Sequence, residues 1–190
     1  MNPACLDYRI IPEKGKAVLI WSSGTLQLLG VSQEQELQSP GYVEVQLELN
    51  LFARVPLSCA KVVNSNLMLV GNEDGSVISF NYSLVLKKGH VDDDESACIY
   101  HHHTLPISQL AVPVLDDSQG GFFLSGDINW QAAIWKMNSS SAPLRVINLA
   151  EVGIREWLLM RLTPSNQASS LSNIALYILT EQERVERIHL

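Results

Sequence analysis

Apolar and polar positions alternate along this chain in short runs, each interrupted by a tight polar turn. Leu67-Met68-Leu69-Val70 form an apolar run, Gly71-Asn72-Glu73-Asp74-Gly75 turn the chain, and Val77, Ile78 and Phe80 resume the pattern. Two β-branched or aromatic runs around Asp-Gly predict a hairpin, because glycine reaches the positive φ that short turns demand. Residues 122–135 align with this stretch without a gap, with Asn129-Trp130 in the place of Asp74-Gly75 and Trp135 in that of Phe80. Residues 17–29 are a shorter version turning at Ser23-Gly24, and residues 174–188 a weaker one turning at Gln182-Glu183. The turn positions 24, 75, 130 and 183 are spaced by 51, 55 and 53 residues, a near-constant period that marks a repeat architecture.

Each period has room for four strands. The first offers residues 6–11, 17–21, 26–29 and 42–49; in the last of these, Val43, Val45, Leu47 and Leu49 alternate with Glu44, Gln46, Glu48 and Asn50. Such a period of two predicts a strand with one wet face. The second unit reads 59–63, 67–70, 77–81 and 97–102, and the third 107–114, 122–125, 132–135 and 144–149. The fourth has 156–162, 174–179 and 184–188. Residues 151–162 also suit an amphipathic helix, but their place in the repeat favours a strand. The expected organisation is one domain over 1–190 with approximate units 1–50, 51–103, 104–150 and 151–190.

Composition narrows the partners. Thirteen Lys+Arg against twenty Asp+Glu leave a net charge of −7, which argues against broad binding to nucleic acid or an anionic membrane. No apolar run approaches the ~20 residues of a bilayer span. The first residues lack a basic stretch followed by an apolar one, so they do not read as a secretory signal. Cys5, Cys59 and Cys98 lie far apart, an odd set that suits reduced thiols in a cytoplasmic or nuclear setting.

Four-stranded units closing on an aromatic are how β-propeller blades are written, and at specific residues the chain resembles the WD40-like propeller family. Ser125-Gly126-Asp127 and residues 70–75 look like the family's turn between second and third strands. Ile134-Trp135 resembles the Trp that ends the third strand, and His103-Thr104-Leu105-Pro106-Ile107 the His-containing start of a blade, 32 residues ahead of Trp135. The resemblance implies that such a His, a turn Asp and the Trp form a structural hydrogen-bonded set. Only the third unit has both His and Trp, with Asn129 where the turn Asp is expected; the second has Asp74 but Phe80 in place of Trp. The chain contains no Trp-Asp dipeptide, and Trp135-Lys136-Met137-Asn138 lacks the Asp and Arg of the motif by which some members dock to ubiquitin-ligase adaptors. The expectation is an all-β WD40-like propeller, or part of one, of about four blades with the last incomplete. At about 53 residues per unit the chain makes roughly three and a half blades, short of the 4–8 that close a ring. A piece of a longer protein, a truncated isoform, or a subunit whose ring a partner completes is therefore expected.

Catalytic patterns are missing. No GxSxG elbow, Cys-His pair, ordered carboxylate pair or glycine-rich phosphate loop is present, so neither an enzyme nor a cofactor is expected. His101-His102-His103, with His90 and Cys98 nearby, lack metal-ligand spacing, since adjacent strand residues point to opposite faces. The sequence points instead to a non-catalytic scaffold that binds other protein subunits through its loops. The candidate contact residues are Asp127, Asn129 and Trp130 on one hairpin tip and Asn72 and Glu73 one unit earlier. A separate loop site comprises His101, His102, Asp92, Asp93, Asp94 and Glu95. Trp130 is either an exposed anchor or folds back over its own blade. Two rival readings are a reader of a peptide or small ligand in the propeller channel, and an accessory subunit of a catalytic partner in RNA modification or ubiquitin transfer.

Overall fold

The computed structural model describes residues 3–11, 15–31, 43–51, 56–88, 97–113, 121–137, 139, 142–150, 154–161 and 174–189. Four antiparallel sheets follow one another along the chain. The first holds β1 (Cys5–Ile11), β2 (Lys16–Trp21), β3 (Thr25–Val31) and β4 (Val43–Asn50) in sequential order. The second holds β5 (Leu57–Val62), β6 (Leu67–Asn72), β7 (Ser76–Asn81) and β8 (Ala97–His101). The third holds β9 (Ile107–Ala111), β10 (Phe122–Asp127), β11 (Gln131–Lys136) and β12 (Arg145–Asn148). The fourth has three strands, β13 (Ile154–Arg161), β14 (Ile174–Thr180) and β15 (Val185–His189). β1 packs on β5, β5 on β9 and β9 on β13, so the sheets stand side by side as four blades of an arc with their first strands innermost.

The turns recur as the period predicts. In each blade the second and third strands meet at a residue with positive φ: Gly24 (80°), Gly75 (86°), Trp130 (60°) and Glu183 (60°). Each of these donates its N–H to the carbonyl three residues back, on Trp21, Asn72, Asp127 and Thr180, at 2.9–3.2 Å. A β-bulge follows the first residue of every innermost strand, where pairing skips Leu6, Ser58, Ser108 and Arg155 in turn.

Packing runs between blades. Val18, Ile20 and Leu26 of the first blade meet Leu57, Met68, Val70 and Phe80 of the second. Leu69, Val77 and Tyr100 on the second blade's other face meet Ile107, Phe123, Ala133 and Trp135 of the third. Phe122, Leu124, Ala132 and Ile134 then meet Ile154, Trp157, Leu176 and Ile178 of the fourth. Neighbouring positions of β6 and β10 are therefore buried in succession rather than alternately, the mark of strands covered on both sides. Gly126 leaves room for the Trp157 ring, which occupies the space a Cβ would take.

A helix that the strand pattern did not anticipate, α1 (Tyr82–Lys88), links β7 to β8. The Asn81 side chain caps it, accepting from the Leu84 N–H at 3.1 Å, and Lys87 and Lys88 lie in its last turn. Tyr82 and Val85 face the junction of the first two blades, and the Tyr82 hydroxyl donates to the Asn64 carbonyl. With only seven residues the helix is too short to show a helical period. The segment around residues 154–161 is strand, as its repeat position predicts.

Two glycines separate backbone strain from crowding. Gly15 and Gly75 both have positive φ, but a Cβ on Gly15 meets nothing within 4 Å among the described residues whereas one on Gly75 overlaps the His103 carbonyl. Gly15→Ala should cost roughly 1–2 kcal/mol for the left-handed backbone alone. Gly75→Ala should cost at least about 1 kcal/mol more, because the link between blades must also shift. Equal losses in urea unfolding would contradict the close approach.

Candidate functional site

The second-to-third-strand turns and the links between blades gather at one end of the arc, since strands alternate in direction within each blade. One hydrogen bond ties turn to link in three blades. Ser22 donates to the Ala4 carbonyl (2.8 Å), Glu73 to that of Pro56 (3.1 Å) and Ile128 to that of Pro106 (3.1 Å). In the second and third blades the acceptor is a proline, whose fixed φ holds the backbone extended just before the innermost strand. Around these anchors Glu73, Asp74, His101, His102, Thr104, Ile128 and Asn129 are exposed, Ile128 by 53%. Burial alone would raise the Asp74 pKa, but hydrogen bonds from the Ser76 hydroxyl and N–H, with nearby His101, hold it below the usual carboxylate value.

Beneath the third blade's turn lies a buried polar relay. The Trp135 indole N–H donates to Ser125 Oγ at 2.8 Å, and Ser125 lies 2.8 Å from His103 Nε2. His103 Nδ1 lies 3.2 Å from Asp127 Oδ2, while Asp127 Oδ1 accepts from the N–H groups of Asn129 and Gln131. One proton arrangement satisfies all partners: the Ser125 hydroxyl donates to Nε2, and a neutral ring donates from Nδ1 to the carboxylate. Burial pushes the His103 pKa below the ordinary imidazole value, outweighing the opposing pull of Asp127, so the contact joins a neutral ring to a carboxylate. The carboxylate expected at position 129 is supplied by Asp127, and Ser125 is a member that sequence reading missed. An alignment of Ser125 against Val70 would have exposed it, as a hydroxyl at a position that is apolar in the second blade.

These placements revise the candidate set. Asp127 (4% exposed) and Asn72 (2%) are buried and serve the turns, so neither is available to a partner. Asn72 occupies in the second blade the place Asp127 holds in the third; its amide donates to Ser76 Oγ, but its Oδ1 has no partner among the described residues. In the sequence, residues 53–58 (Ala-Arg-Val-Pro-Leu-Ser) match 103–108 (His-Thr-Leu-Pro-Ile-Ser), with Ala53 in place of His103. Trp130 is half-buried and packs edge-on against Trp157 of the next blade at 5.9 Å, bridging two blades rather than folding over its own. Asn129, Glu73, His101 and His102 are exposed at the turn end, while Asp92, Asp93, Asp94 and Glu95 lie outside the described residues.

The innermost strands line a groove of about 610 Å³ bordered by Asp7, Cys59, Lys61, Gln109, Glu156 and Trp157. Burial pushes the Cys59 thiol pKa up to about 12, which keeps it protonated and a poor nucleophile. The cysteines are free thiols, and among the described residues no cluster of His, Cys, Asp and Glu could hold a metal ion. No described helix is long and apolar enough to cross a membrane.

No protein-family profile and no curated protein matches this chain. Among solved structures it is similar to the C-terminal WD40 domain of Sif2, with 12% identity, a TM-score of 0.56, and 98% of this chain covering 47% of that one. The chain spans about half the length of that structure. The fold is thus a WD40-like partial propeller of three four-stranded blades and a three-stranded fourth among the described residues.

The relay makes stability depend on pH. As pH falls below about 6.5 the unfolded chain binds a proton that the folded His103 resists. Its contribution is therefore full above that range and declines on acidification through it. Urea unfolding should show this decline between pH 7.5 and 5.5, and His103→Gln should flatten it. Ser125→Ala, which strips a partner from both Trp135 and His103, should cost about 1–3 kcal/mol in the same assay at pH 7.5.

Proposed function

We propose that this chain is a non-catalytic interaction scaffold whose turn end binds another protein. The observation that carries the reading is the thrice-repeated bond from turn N–H to link carbonyl, at Ser22, Glu73 and Ile128. It holds a mixed apolar and polar surface in a fixed shape, and a rigid scaffold presenting loops is how folds of this kind recognise partners. Ile128 offers an exposed apolar contact, with Asn129, Glu73, His101 and His102 around it for hydrogen bonds and charge. Trp130, braced on Trp157, stiffens the same tip. The known WD40 structure supports the architecture, and the loop surface supports the role.

A second reading, a ligand held in the groove, is favoured by the Trp157 indole N–H, which is buried at the groove's border without an acceptor among the described residues. A bound peptide carbonyl would supply one.

Affinity purification with mass spectrometry separates the readings. Ile128→Arg combined with Asn129→Arg should remove at least tenfold of a co-purifying protein while the unfolding midpoint stays unchanged. Lys61→Glu, in the groove, should leave that capture intact. The opposite pattern would favour the groove, and capture insensitive to both would discard the turn-end reading. The identity of the captured protein decides whether the scaffold serves an enzyme.

A further inference from the structure

The bonds that close the turns put the tips of successive blades in register. Gly75, Trp130 and Glu183 bond back to Asn72, Asp127 and Thr180. The first tip position of the second, third and fourth blades is therefore Glu73, Ile128 and Glu181, and the next is Asp74, Asn129 and Gln182. All six residues are exposed, as is Glu183. Among the described residues Arg184 is the one lysine or arginine at these tips. Lys16, Lys87 and Lys136 lie at the far ends of their blades, where the second strand begins or the third has ended.

Tight turns draw on Ser, Asp, Asn and Gly. Ile128 is the exception, 53% exposed with the half-buried Trp130 two residues on. Carboxylates alone on such tips are solvated and select nothing, but an apolar side chain held between the carboxylates of both neighbouring blades selects a pattern. We propose that the turn end takes an extended segment of a partner protein in which an apolar side chain is flanked on both sides by basic residues. This rests on the turn-end reading and names the chemistry of the partner. The apolar side chain covers Ile128, while one flanking cation meets Glu73 and Asp74 and the other meets Glu181.

Spacing sets the length of the pattern. Packed sheets stand about 10 Å apart and an extended chain advances about 3.3 Å per residue, so each cation falls about three residues from the apolar side chain. Rigidity keeps the pattern in place. The Glu73 and Ile128 N–H groups are tied to the Pro56 and Pro106 carbonyls, each at 3.1 Å. Asp74 Oδ1 accepts from the Ser76 N–H at 2.9 Å and from its hydroxyl at 2.6 Å, which leaves Oδ2 to accept from a partner. The net charge of −7 attracts a basic segment before contact is made. A lysine or arginine that reaches these tips replaces water around the carboxylates, and the exposed isoleucine supplies the apolar contact that bare charge lacks.

Fluorescence anisotropy of the labelled, end-capped peptide Lys-Thr-Ser-Leu-Ser-Thr-Lys with the 190-residue chain tests this. It should bind at least tenfold more tightly than a counterpart with Glu in place of both Lys, and at least tenfold more tightly than one with Ser in place of Leu. Glu73→Lys combined with Glu181→Lys should weaken the basic peptide at least tenfold and make the acidic one the tighter binder, with the unfolding midpoint unchanged. A purely structural role for these residues would not exchange the preference in this way. Raising the salt from about 50 to 500 mM should also weaken the basic peptide. Equal affinity for the basic and acidic peptides, a charge-reversed chain that keeps its preference, or no binding of the basic peptide at about 1 mM would overturn the proposal. If the co-purifying protein is lost with Ile128→Arg and Asn129→Arg but fully kept with Glu73→Lys and Glu181→Lys, the basic segment is discarded and the turn-end reading stands.

Discussion

Apolar side chains on both faces of a sheet demand a covering neighbour on each side, and that demand organises this protein. The third blade sends Phe123 and Trp135 one way and Phe122 and Leu124 the other. Among the described residues, the junction with the fourth blade alone buries nine side chains. At about 1.5–3 kcal/mol for each fully buried large one, such a junction outweighs any single polar network. Hydrogen bonds at about 0.5–1.5 kcal/mol apiece cannot compete with it in energy, but they decide register and height. Packing therefore holds the blades together, while the bond that Asp7 Oδ2 accepts from the Val62 N–H across the first junction and the relay under the third turn say where each blade stops.

The same division explains the proposed binding surface. Apolar residues are spent on the junctions, so the turn end is built from backbone hydrogen bonds and short polar side chains. Ser58 illustrates the coupling: its one hydroxyl proton is shared between the Gly71 carbonyl in its own blade and the Ile107 carbonyl across the junction. Loops anchored in this way present side chains without first having to become ordered, which lowers the entropic cost of binding. The His103 relay adds a condition: its ring stays neutral in the fold, so the blade that carries Ile128 and Asn129 is firmest at neutral pH and above.

Much of the fold was legible because turns are local. Gly24 and Gly75 announce themselves by residue type, whereas Trp130 and Glu183 were found by period alone, neither being a residue that favours positive φ. The helix from Tyr82 to Lys88 was not legible, since seven residues show no helical period and the buried Tyr82 makes sense only against the first blade. At the site, His103 and Trp135 could be read from spacing. Ser125 showed only as a hydroxyl opposite an apolar position of the second blade, and Asp127 not at all, because nothing in a linear pattern says which carboxylate lies within reach of a ring 24 residues upstream. The exposure assumed for Asn72 and Asp127 failed for a related reason: a polar residue at a turn need not point outward when it completes the turn itself.

Alternation and period, by themselves, determined that this chain makes short antiparallel strands, where its hairpins turn and how many blades it can supply, because those properties depend on residues a few positions apart. Its excess of apolar positions also required junctions, without saying which faces would meet. Only the tertiary structure decided that Trp130 braces the neighbouring blade and that Asp127 is an internal acceptor. Those outcomes depend on side chains brought together from different blades across bulged strands, and distance along the chain carries no record of them.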